Sequence, residues 1–202
     1  MATGTNTTEG KAGTGWPWPR PTDDGRAQHL IPGTALPRVA LHCACNPDAR
    51  TPEEHVMPAA IDGRIVLIVY PWTGGPGRSN PVGWDETPGA HGSTPELEGF
   101  QRLAHGFDAI NVSVFAVSAQ EPGAQRDFAR RAGITFPLLS DQDFELQSAL
   151  RLPIFETGGT KFLSRLTVIA KHGVIERVYY PVHPPDTHAR EVLYWCGVMR
   201  DA

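Results

Sequence analysis

Residues 61–71 read IDGRIVLIVYP, and this stretch decides the architecture. From Ile65 to Tyr70 every side chain is apolar. With no polar residue at alternate positions both faces must be covered, as in a strand inside a parallel sheet. Pro71 ends the run, because proline brings no N–H to the ladder. A second buried strand is expected over 109–118 (AINVSVFAVS). Between them, residues 96–105 (ELEGFQRLAH) place Leu97, Phe100, Leu103 and Ala104 on one helical face and stop at Gly106.

The pattern continues outward. Glu121-Pro122 opens a helix through Phe128 and Ala132 that Gly133 closes, and residues 136–139 (FPLL) form a short strand segment. A third helix over 143–152 turns Leu146, Ala149 and Leu150 inward. Residues 165–170 (RLTVIA) and 174–180 (VIERVYY) are two strands joined by the tight turn Lys171-His172-Gly173. A last helix over 187–198 carries Ala189, Val192, Leu193 and Cys196 on its apolar face. Alternating βα units demand a parallel sheet covered on both sides, and the hairpin adds antiparallel strands. The expected class is α/β with a mixed central sheet flanked by helices, a thioredoxin-like arrangement.

Residues 1–28 show neither helical nor strand period and read as a flexible N-terminal tail, with the domain over 29–202. Trp16-Pro17-Trp18-Pro19 is the tail's only sticky part. It either packs back on the body, the favoured reading, or meets a partner.

Composition narrows the function. The 202 residues carry 18 Lys and Arg against 22 Asp and Glu, a net charge of −4. That mild acidity argues against nucleic acid, which calls for a basic face. No run approaches the ~20 apolar residues of a membrane span. Gly and Pro make up about a fifth of the chain, so loops are prominent. Three cysteines, Cys43, Cys45 and Cys196, make no disulfide framework. The first 30 residues hold no signal-like apolar core, so the expectation is a cytoplasmic protein with free thiols.

The chemistry is expected at the carboxyl ends of the parallel strands. There the chain reads YPWTGGPGRSNPVGWDETPGAHGSTPELEGF from Tyr70 to Phe100, a long loop running into a helix start. Ser93 or Thr94 can cap that helix, Pro95 suits its first turn, and Ser93 with Glu96 fits a capping box. Free N–H groups at such an end favour an anion or an ionising nucleophile.

Four stretches resemble a known family: the strand ending Tyr70-Pro71, the helix start Gly92-Ser93-Thr94-Pro95-Glu96 leading to Phe100, residues 114–120 (VFAVSAQ) with 136–141 (FPLLSD), and Arg165 opening the hairpin. Together they resemble peroxiredoxins of the alkyl hydroperoxide reductase/thiol-specific antioxidant superfamily, nearest the Gln-type (bacterioferritin-comigratory) branch. The resemblance implies an antioxidant thiol peroxidase. It takes hydrogen peroxide or an organic hydroperoxide as substrate and a thioredoxin-like protein as reductant. It needs no cofactor, metal, nucleic acid or membrane, and works as a monomer or homodimer. In that chemistry a cysteine at a helix N-terminus attacks the peroxide, becomes a sulfenic acid and is resolved by a second thiol.

The sequence departs from this pattern at the decisive place. Ser93 aligns with the attacking cysteine, and Glu98 stands where many Gln-type members carry the resolving one. A hydroxyl lacks the thiol's accessible pKa of ~8.5, so the chain is expected not to turn over peroxide by the family mechanism. The alternative is a non-catalytic binding or regulatory protein on the same fold. Arg165 is the family's arginine by this alignment, Pro71 its shielding proline, and Thr73 the candidate hydroxyl partner, with Thr87 and Thr94 open as alternatives. A rival register reads Thr87-Pro88-Gly89-Ala90 as the family's Thr-Pro-Gly-Cys, with Ala90 in the cysteine's place.

Three further features were weighed. On a regular strand Cys43 and Cys45 share a face, which permits disulfide exchange, though two small hydrophobes in the core is the plainer reading. A metal site there lacks further ligands. His91 flanks Ser93, but a hydrolase reading needs a carboxylate to orient it and an oxyanion hole. His183 and His188 are read as surface and helix-start residues.

Overall fold

The computed structural model describes residues 16–45 and 55–199. Among the described residues seven strands form one sheet. Its centre is β3 (Arg64–Val69), whose six residues are all buried. Parallel to it runs β4 (Val112–Ser118), and parallel to β4 runs the short β5 (Leu138–Ser140). On the other side β8 (Leu166–Lys171) pairs antiparallel with β3, and β9 (Val174–Tyr179) with β8. The sequence expectation of a thioredoxin-like α/β fold with a mixed sheet is met.

The helices lie where the periodicity places them, with shifted ends. α1 spans Ser93–Arg102 and a separate turn, α2, spans Ala104–Ala109. α3 (Pro122–Ala132) ends at Gly133, whose φ of 64° is the left-handed cap expected there. α4 covers Glu145–Leu150 and α5 covers His188–Val198. Each face of the sheet has its own core. Ile65, Leu67, Val69 and Val168 point to one side; Val66, Ile68, Tyr70 and Ile169 point to the other, against Leu97 and Phe100 of α1 and Val192 of α5. No helix of the described residues is long and apolar enough to cross a membrane.

Three elements differ from the sequence reading. β1 (Leu41–Cys45) and the two-residue β2 (His55–Val56) extend the sheet beyond β5. The backbone register on β5 slips between Cys43 and Cys45, which marks a bulge in β1. Cys43 is buried in one core and Ala44 in the other. The third is a separate hairpin of β6 (Ile154–Thr157) and β7 (Thr160–Leu163). Its strands are only four residues each and mix exposed with covered positions, so neither carries a strong apolar period.

Of the segment read as a tail, residues 1–15 lie outside the described residues. Residues 16–28 run along the body: Ala27 is buried, and the Tyr180 hydroxyl donates to Asp24 at 2.9 Å.

Candidate functional site

The site follows from register. Leu166 of β8 pairs with Val69 of β3, so Arg165 lies one residue further, at the carboxyl end of β3, where α1 begins. α1 starts at Ser93 because Gly92 ahead of it has φ of 110°. A Cβ there would lie 2.3 Å from Cγ of Pro185, so only glycine fits. Neither Ser93 nor Glu96 caps the helix, in contrast to the capping-box expectation: α1 has no side-chain cap. Both side chains turn instead to Arg165.

That arginine is almost fully buried and fully engaged. Its Nη1 is ion-paired with Glu96 Oε2, and its Nη2 donates to Ser93 Oγ at 3.1 Å and to the His91 carbonyl at 3.1 Å. Glu96 sits three residues after Ser93, one helical turn along the same face. Burial pushes its carboxyl up to about 7, and the Arg165 guanidinium opposes that rise. Its second oxygen, Oε1, is buried without a partner. The result is a cation held against a hydroxyl at a helix N-terminus, with a counter-ion that is only marginally ionised at neutral pH.

His188, read as a helix-start residue near the surface, does open α5 but is buried, and its Nε2 is hydrogen-bonded to Thr167 Oγ1 at 2.9 Å. Burial, and then the Arg165 charge, push its pKa down to about 3. The ring is therefore neutral at physiological pH. Glu96 and His188 are the two buried polar residues beside Arg165 whose placement the sequence did not show. The spacing Ser93…Glu96 was the available signal for the first; nothing local marks the second.

Two cavities meet at this point. One, of about 240 Å³, is lined by Ser93, Thr73, Thr94 and His91 together with four of the chain's five tryptophans, Trp16, Trp18, Trp72 and Trp84. The other, about 250 Å³, is lined by Arg165, Ser164 and Tyr180 among others. Thr73 thus shares the cavity with Ser93, but its hydroxyl donates to Gln120 Oε1 at 3.2 Å. Thr87 donates to the Gly83 carbonyl at 2.6 Å. Pro71 is buried and lines a third cavity, of about 380 Å³, beside Trp72 and Gln120. Ala90 is fully buried in an aromatic cluster with Trp84 and Phe162, and Arg165 reaches Ser93 three residues on.

His91 does have a carboxylate partner, since its Nε2 meets Asp85 Oδ1 at 2.8 Å. The Ser93 hydroxyl, however, is held by Arg165, and the His91 ring lies between Trp18 and Trp84. That is packing rather than a nucleophile–base pair. Cys196 is buried on α5, where burial pushes its thiol up to about 11, and is therefore inert. Among the described residues no three metal-ligating side chains converge.

The AhpC/TSA family model matches residues 85–178, from the loop before α1 to β9. Over those residues the chain is similar to the AhpC/TSA peroxiredoxins. Among similar sequences, the chloroplastic peroxiredoxin Q of Populus jackii is 28% identical over 109 residues, 54% of this chain and 49% of that protein. The chain spans about half the length of the curated relatives it matches. Among solved structures, a mutant of PrxQ from Xylella fastidiosa is 25% identical with a TM-score of 0.64, covering 86% of this chain and 99% of the other. The peroxidoxin BcpB of Mycobacterium tuberculosis superimposes with a TM-score of 0.65 at 21% identity, covering 86% and 100%.

Proposed function

We propose that this is a peroxiredoxin-type protein whose nucleophile position is Ser93, and that the site binds hydroperoxides but reduces them only with a thiol at that position. The observation that carries this reading is the 3.1 Å contact from Arg165 Nη2 to Ser93 Oγ at the first residue of α1. An arginine and a helix N-terminus together stabilise negative charge on the atom at that position and on the oxygens facing it.

With sulfur there, the reaction balances as follows. The thiolate attacks the distal peroxide oxygen, the O–O bond breaks, and the departing alkoxide takes a proton to leave as water or an alcohol. Sulfur is oxidised to the sulfenic acid. A dithiol then forms a mixed disulfide with loss of water and closes its own disulfide, supplying both electrons. Oxygen at position 93 lacks both the ionisation and the soft nucleophilicity this requires.

The test is peroxide consumption with excess dithiothreitol or a thioredoxin system, comparing the chain with Ser93→Cys. The reading expects no turnover above background for the chain and sustained turnover for the variant. A folded Ser93→Cys protein that leaves hydrogen peroxide and an organic hydroperoxide untouched overturns it.

A further inference from the structure

Two of the four tryptophans around Ser93 do not belong to the loop that builds the cavity. Trp72 and Trp84 follow β3, and Trp84 is packed edge-on against Phe162 with ring centroids 5.0 Å apart. Trp16 and Trp18 arrive from the N-terminal segment. Trp18 lies flat on His91, with centroids 3.6 Å apart and planes 8° from parallel. Trp16 rests on the start of α1: its Cζ2 would be 2.9 Å from a Cβ at Gly92. Asp85 holds the His91 ring in place through the 2.8 Å contact, so the platform under Trp18 is itself fixed.

The segment is attached unevenly. Its inner end is secured by the Asp24–Tyr180 hydrogen bond and by the buried Ala27 and Leu30. Its outer part, residues 16–22, makes no backbone hydrogen bond to the body among the described residues. Pro17, Pro19 and Pro21 have no N–H to offer. What holds this part down is ring contact and the packing of Pro21 beside Gly89. Proline also restricts it to an extended form, so little conformational freedom is lost when it lies down or gained when it lifts. An attachment of this kind is weak, local and reversible, unlike the packed core beneath it.

We propose that residues 16–19 are a removable roof over the Ser93 cavity, and that Trp18 sets the size of molecule that reaches the side chain at position 93. This rests on the Ser93 cavity being the ligand site, as proposed above. Small molecules enter beneath the closed roof; larger ones wait for Trp18 to leave His91. The ligands selected for easy passage are therefore small hydroperoxides, and bulky ones bind only as often as the roof lifts.

The experiment uses Ser93→Cys as a chemical reporter and does not depend on peroxide. Alkylation of the full chain at position 93 is timed with iodoacetamide and with fluorescein maleimide, and the labelled peptide is assigned by mass spectrometry. Adding Trp16→Ala and Trp18→Ala is expected to raise the fluorescein maleimide rate about tenfold, the size of one or two lost ring contacts, while the iodoacetamide rate stays within about threefold. Trp18→Phe, which keeps a ring on His91, is expected to stay near the parent for both reagents. Unchanged rates overturn the roof, and so does an equal rise with both reagents, which signals general loosening. If the thiol shows the expected ratio but consumes no peroxide, the roof stands and the peroxide reading falls. The reverse outcome removes only the roof.

Discussion

Arg165 and Ser93 touch across the gap between β8 and α1, 72 residues apart in the chain, through one hydrogen bond of 3.1 Å. That bond is placed by the antiparallel register of β8 on β3 and by the glycine that starts α1. The guanidinium is held there by the Glu96 carboxylate together with the His91 carbonyl.

The first prediction concerns the ion pair of Arg165 with Glu96. Both partners are almost completely buried. Removing one charge strands the other, which costs roughly 3–5 kcal/mol. Arg165→Met is expected to lower stability by that amount in urea unfolding at pH 8, where Glu96 is charged. Arg165→Met is expected to cost less at pH 5 than at pH 8, because the raised carboxyl pKa lets Glu96 become neutral. Loss of less than about 1 kcal/mol in Arg165→Met at pH 8 would mean the pair is not desolvated as described.

The pH dependence of stability carries two opposed signatures. Glu96 has a folded pKa of about 7, above its ordinary 4.5. Between those values the folded protein binds more protons than the unfolded chain, so stability falls as pH rises through the window. His188 is the reverse. Its pKa of about 3 lies below 6.5, the unfolded chain binds more protons between them, and stability falls as pH drops. From about 4.5 to 6.5 the two slopes offset each other. Thermal unfolding across that range is expected to be nearly flat for the parent, to fall on acidification in Glu96→Gln, and to rise on acidification in His188→Gln. Parallel profiles for all three proteins would contradict the assignment.

Gly92 gives a sharper structural test. With φ of 110° and Pro185 in the way of any Cβ, Gly92→Ala combines backbone strain with a clash. The expected cost is about 2 kcal/mol or more. Because α1 starts at the next residue, the same change is expected to pull Ser93 from Arg165. In the Ser93→Cys background it therefore lowers the rate of peroxide consumption as well as stability. A purely local strain would lower stability and leave that rate alone.

The sheet was legible from residues because its central strands carry unbroken apolar runs, 65–69 and 114–117, and because of the βα alternation and the Lys171-His172-Gly173 turn. The hairpin over 154–163 was not, since its strands are four residues long and alternate weakly. Of the site, Arg165 and Ser93 were legible through the resemblance, and the structure brings them together. Glu96 was visible but read for the wrong task, because a carboxylate three residues after a serine fits a cap as well as it fits a partner for a distant arginine. His188 carried no signal, because its burial comes from the packing of α5 on β8, a long-range fact. Trp16 and Trp18 were correctly seen as sticky, and the favoured reading, packing back on the body, is what they do; where they pack was beyond reach of local pattern.

The cradle around position 93 is tested most directly by the ionisation of sulfur placed in it. Thiolate absorbance at 240 nm, titrated for Ser93→Cys and corrected by the parent chain, isolates that one thiol. With Arg165 and the α1 N-terminus acting on it, its pKa is expected below about 7, and to rise by about a unit or more when Arg165→Met is added. A pKa at or above the ordinary ~8.5, indifferent to Arg165, would show that no such cradle exists.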